Sequence, residues 1–104
     1  ISMSINSKSN DIITIIKDNI ILFVPFKNVY LFGSVLDTNK IPNDIDLLLI
    51  YSEYSPRITE TVEHIAHFLE SNCDISVDLT VLSVEEEQNV KFLNRISPNY
   101  LQLK

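Results

Sequence analysis

The sequence has 104 residues, 45% of them hydrophobic and 21% charged, with a net charge of −6. That length bounds a single domain, and that balance excludes a disordered chain. The eight Lys and Arg are scattered rather than gathered into a stripe, which excludes a surface that tracks a phosphate backbone and so duplex nucleic acid as a partner.

Ile1-Ser2 ahead of Met3 read as a cloning remnant, and residues 1–8 as a flexible N-terminus before one domain over 9–104. Ser9 or Asn10 caps a first helix, with Ile12, Ile13, Ile16, Ile20 and Phe23 on one face, and Pro25 ends it. The apolar run 12–26 is broken by Lys17, Asp18, Asn19 and Pro25, is too short to span a bilayer, and has no signal-peptide pattern, so no membrane is expected. Residues 28–32 (NVYLF) read as a strand rich in β-branched and aromatic residues. Residues 33–43 form a connection that starts with a helical turn. The run 45–51 (IDLLLIY) has the continuous apolar character of a central strand covered on both faces.

Ser55-Pro56 opens a second helix, a capping hydroxyl followed by proline at the first helical position. It is expected to reach Ser71 with Ile58, Val62, Ile65, Ala66 and Leu69 inward. Residues 75–82 alternate as a strand, with Ser76, Asp78 and Thr80 on one face and Val77, Leu79 and Val81 on the other. Ser83 and Glu86 form a capping box for a helix to Arg95, with Val90 and Phe92 or Leu93 inward. Residues 100–103 suit a short edge strand. The order implies an α/β (α+β) domain with a small mixed sheet flanked by helices.

Two features carry chemistry. Asp44 and Asp46, two apart on a strand, project to one side at the rim of a core, since Leu48 and Ile50 follow them there. Adjacent carboxylates repel and lose hydration unless a cation joins them, and oxygen ligands of this kind suit Mg²⁺. If the third strand lies beside the central one, Asp78 joins the pair. Three carboxylates on neighbouring strands can hold two cations about 3.5–4 Å apart, an arrangement suited to in-line displacement at phosphorus. Gly33 is the only glycine in the chain, directly after the first strand.

Other candidates have plainer readings. His64 and His67 are three apart on a helix without a third ligand of suitable spacing, and read as an exposed pair. Cys73, the lone cysteine, reads as a small buried residue and fits a reducing, cytoplasmic compartment. Glu85, Glu86 and Glu87 complement a helix dipole, and Tyr51 and Tyr54 border the far end of the central strand.

The segments FGS, NDIDLLLIY and VDLTVLS together resemble the nucleotidyltransferase superfamily of DNA polymerase β, and among its members the minimal nucleotidyltransferases. The resemblance covers essentially the whole chain and implies a polymerase β palm-like fold. It implies that Gly33 and Ser34 bind a nucleoside triphosphate, ATP first among the choices, with Lys40 available from the loop. Asp44 and Asp46 would bind the Mg²⁺ that accompanies the triphosphate, and with Asp78 a second Mg²⁺. Asp78 would also take the proton of an acceptor hydroxyl as a nucleoside monophosphate, AMP or another, is transferred. The implied partner is a helical HEPN-type toxin, adenylylated on a tyrosine by this chain as antitoxin. Two alternatives stand beside it. One is a catalytically weak module that acts by contact with such a partner. The other is a transferase for an aminoglycoside-like small molecule, with its acceptor site across a homodimer. Many minimal members carry Arg shortly after the Ser; here the residues are Val35-Leu36-Asp37.

Overall fold

The computed structural model describes residues 7–37 and 39–104; the N-terminal segment 1–6, including the Ile1-Ser2 pair, lies outside them. The elements are α1 (Ser7–Asp18), a 3-10 turn (Ile20–Phe23), β1 (Asn28–Phe32), a second 3-10 turn (Gly33–Leu36), β2 (Asp44–Tyr51), α2 (Pro56–Cys73), β3 (Ser76–Ser83), α3 (Val84–Val90), α4 (Phe92–Ile96) and β4 (Tyr100–Gln102). The four strands form one mixed sheet in the order β3-β2-β1-β4. β1 is antiparallel to both β2 and β4, and β2 is parallel to β3 through the α2 crossover.

Strand alternation splits the apolar residues between two faces. Ile45, Leu47 and Leu49 of β2, with Val29 and Leu31 of β1, point into a core closed by Ile12 and Ile16 of α1, by Phe23 and Phe26, and by Ile58, Ile65, Leu69 and Cys73 of α2. The opposite face carries Tyr30, Leu48 and Ile50, covered by Val84, Phe92, Leu93 and Tyr100. Its ring contacts run edge to face, Tyr30 to Tyr100 at 5.3 Å and Phe32 to Phe92 at 5.4 Å, with the Arg95 guanidinium 5.0 Å above the Phe92 ring. That cover lies over the part of β2 bearing Leu48 and Ile50. Asp44 and Asp46 continue the same face toward its open rim.

Several sequence expectations need correction. The first helix starts at Ser7 and stops at Asp18, well before Pro25. The Asn19 side-chain amide bonds back to the Ile15 carbonyl at 2.8 Å, and the chain tightens into a 3-10 turn. Three residues per turn instead of 3.6 swing Ile20 to 36% exposure while Phe23 stays buried. The helix expected from Ser83 to Arg95 breaks at Lys91, which adopts φ 53°. The Lys91 N–H still makes the last i→i−4 helical bond, to the Glu87 carbonyl at 2.7 Å, and beyond the left-handed Lys91 the Leu93 N–H is taken by the Glu87 carboxylate at 3.0 Å instead of a backbone carbonyl. Val90 is therefore not a core residue but 49% exposed. Ser55 precedes α2 as expected, yet its hydroxyl makes no capping bond, and α2 continues to Cys73, where Asp74 turns left-handed with φ 56°. The capping box is present: Ser83 Oγ accepts from Glu86 N–H at 3.0 Å, and Glu86 Oε1 accepts from Ser83 N–H at 2.8 Å.

Candidate active site

The sheet register brings the predicted acids together. Asp46 stands opposite Asp78 on β3 and opposite Phe32, the last residue of β1, while Asp44 stands opposite Ser76. Asp44 and Asp46 are half-buried and Asp78 is exposed. Burial, then the Asp44 charge and a hydrogen bond with Asp44, then the Asp78 charge push the Asp46 carboxyl up from 3.8 to about 6. The acids thus form one interacting group with a surplus of negative charge. Among the described residues no three His, Cys, Asp or Glu close around a cation-sized position. Asp44, Asp46 and Asp78 instead offer an open set of oxygens, the donor type for Mg²⁺, beside a carboxylate that a cation would relieve.

Gly33 sits against this group. Its φ of +80° is a conformation that side chains rarely adopt, and a Cβ built there would run into the Asp46 carboxylate, with Asp46 Cγ 3.0 Å and Cβ 3.3 Å away. The neighbour that excludes a side chain at position 33 is thus a residue of the protein itself. Ser34 is occupied within the fold as well. Its hydroxyl accepts the Asn43 N–H at 3.2 Å and donates to the Asp44 carbonyl at 3.3 Å, fastening the end of the connecting loop to the start of β2.

Lys40 is exposed, with its ammonium 4.0 Å from Asp37 Oδ2, a separation and exposure at which attraction is weak. Asp37 Oδ1 accepts the Asn39 N–H at 2.9 Å. A cleft of about 550 Å³ opens beside Gly33, lined by Gly33, Leu36, Asp37, Pro98, Asn99 and Tyr100. Pro98, Asn99 and Tyr100 were not singled out by sequence. They arrive through pairing of Tyr100 with Phe32, in a strand of only three residues whose composition gives little signal. His64 and His67 are exposed on α2, and Cys73 is buried, which pushes its thiol up. None of these three lines the cleft.

Among the described residues, no helix is long and apolar enough to cross a membrane. No curated protein is significantly similar to the chain. Solved structures are. A tri-AMPylated HEPN toxin in complex with MNT antitoxin from Shewanella oneidensis includes a chain 26% identical, with TM-score 0.50, over 93% of this chain and 69% of that one. A toxin–antitoxin structure with AMP-PNP has a chain 27% identical, with TM-score 0.56, over 92% and 72%. A nucleotidyltransferase-like protein of Sulfolobus solfataricus, 16% identical, shares the fold with TM-score 0.53 over 97% and 90%. The family model described as polymerase beta, nucleotidyltransferase, matches residues 10–99. With its four-stranded mixed sheet and flanking helices, the chain belongs to that family as a minimal nucleotidyltransferase domain, and its activity is nucleotidyl transfer.

Proposed function

We propose that the chain transfers AMP from ATP to a tyrosine hydroxyl of a HEPN-type partner and acts as that partner's antitoxin. The observation that carries this reading is the row formed by Asp78, Asp46 and Gly33, with Asp44 beside it, at the mouth of a cleft. The similar structures support it: one holds an AMPylated toxin with its antitoxin, another holds AMP-PNP.

The residues divide the work along the sheet. The cleft beside Gly33 has three largely apolar walls, Leu36, Pro98 and Tyr100, and no Lys, Arg or His among the described residues that line it. It therefore suits the uncharged nucleoside end of the substrate, while Asp37 repels phosphates from it. The triphosphate runs past Gly33 along the row of acids, with Lys40 reaching from the loop as its cation and Ser34 holding loop and strand together. Asp44 and Asp46 would hold one Mg²⁺ and, with Asp78, a second; the ions would supply neutralisation of phosphate charge and a lower pKa for the acceptor hydroxyl. Asp78, exposed at the sheet edge, receives the hydroxyl proton. The oxygen–phosphorus bond to the acceptor forms at the α-phosphorus as the bond to pyrophosphate breaks.

A second reading has an observation of its own. Asp37 stands shortly after Ser34 with Lys40 as the only cation close to that loop among the described residues, an arrangement sparing in positive charge for a triphosphate, which favours a module acting chiefly by contact with its partner. The two separate in one experiment. ATP labelled on the α-phosphate is incubated with Mg²⁺, the protein and the HEPN-type product of the neighbouring gene. Label should appear on the partner, none should appear from γ-labelled ATP, and Asp44→Asn and Asp78→Asn should each lower transfer at least about a hundredfold. Stable partner binding without label in the parent protein would overturn transfer to this partner and leave the contact reading.

A further inference from the structure

β2 leaves the acids behind and ends at Tyr51, about 23 Å from Asp44 at the usual rise per strand residue. From there the chain turns through Tyr54 into α2. The two rings meet edge to face, with centroids 6.3 Å apart and planes at 69°. The Tyr54 hydroxyl lies 2.9 Å from Thr59 Oγ1, which steadies that ring although the residue is 63% exposed. With Ile58, Val62 and Val81 the rings wall a groove of about 310 Å³, and Thr59, Glu63 and Glu86 complete its lining. Glu86 gives one oxygen to the Ser83 N–H, and its charge adds to burial in pushing the Tyr51 phenol up.

The lining restricts what can bind. Two carboxylates with no Lys, Arg or His among the lining residues disfavour an anion. A wholly apolar occupant would take the Glu63 and Glu86 carboxylates out of water with no opposite charge against them, which costs more than it gains. A cationic head on an apolar stem satisfies both parts, the stem on Ile58, Val62 and Val81, the head against the ring faces and carboxylates. Arginine fits better than lysine, because its planar guanidinium stacks on a ring and donates in a fork to a carboxylate. The groove has room for one long side chain and lies open on a chain of net charge −6, so a small free cation would bury little there.

We propose that this groove is a docking site for an arginine displayed on the surface of a partner protein. Docking leaves the transfer site at the other end of β2 accessible and does not depend on the transfer chemistry. It is tested by NMR titration of the protein with the peptide acetyl-Gly-Ala-Arg-Ala-Gly-amide, its glutamate counterpart and spermidine. The arginine peptide should give saturable shifts at Tyr51, Tyr54 and Thr59. Its affinity should fall about fivefold in Tyr54→Ala and in Glu63→Gln, and stay unchanged in Asp78→Asn. Thermal melts verify that each variant is folded. Four results would overturn the proposal: no saturable shift, equal binding of the glutamate peptide, shifts centred on Asp44 and Asp46, or spermidine binding more tightly than the peptide.

Discussion

Gly33 and Asp46 share one small volume, and each explains the other. The glycine's left-handed backbone turns the chain out of the sheet at the end of β1, and its missing side chain leaves room for the Asp46 carboxylate. Gly33→Ala should cost about 1–2 kcal/mol from the backbone alone, plus the displacement of that carboxylate. In an Asp46→Ala background the second part disappears, so urea denaturation of the two single variants and the double should be non-additive. Strict additivity would mean that the backbone angle alone accounts for the glycine. Asp46 also sets a pH dependence. Its folded-state pKa of about 6 lies above the ordinary 3.8, so the folded state holds this proton more tightly than the unfolded chain does. The corresponding stability is complete below pH 3.8 and is lost as pH rises through 6. Asp46→Asn, permanently neutral, should therefore melt above the parent at pH 7.5 without divalent cations, and that advantage should shrink toward pH 4. An advantage equal at both pH values would remove burial and charge crowding as its cause. At this scale the acids were legible because a period of two places Asp44 and Asp46 on one side whatever the neighbouring strands do. The cost of a side chain at 33 was not, since it depends on where a residue thirteen positions later folds back.

Elements show the same division between local and distant causes. The Ser83–Glu86 box lies within four residues, was readable from the sequence, and is formed with bonds of 3.0 and 2.8 Å. Ser83→Ala should cost about 1 kcal/mol in chemical denaturation, and Glu86→Gln, which keeps an acceptor, clearly less; equal losses would mean the two bonds act separately. The break at Lys91 was hidden because residues 84–95 have no Gly or Pro, and the left-handed turn there shows only where the Glu87 carboxylate takes the Leu93 N–H at the start of the next helix. Similarly, Asn19 reads as an ordinary helix residue until its amide is seen on the Ile15 carbonyl. The strand positions fared better, since continuous apolar runs such as 45–51 have few alternatives to a central place in a sheet.

At the scale of the molecule, the sheet is covered unequally. One face is sealed by α1 and α2, the other only where α3, α4 and Tyr100 pack on Leu48 and Ile50. The bare part of that second face is where the acids emerge. Composition and the order of elements made the layer arrangement legible. They did not show which strand ends stay uncovered, because the cover is made by short helices whose start and stop depend on single hydrogen bonds. The same asymmetry leaves β3 as one outer strand of the sheet, paired to β2 alone among the described strands. An outer strand with free peptide groups invites a second copy to add itself, and a charge standing on it is a common deterrent. Asp78 is that charge. The residue proposed to accept a proton thus also guards solubility, so a variant made to silence transfer puts the protein at risk of self-association in concentrated solution.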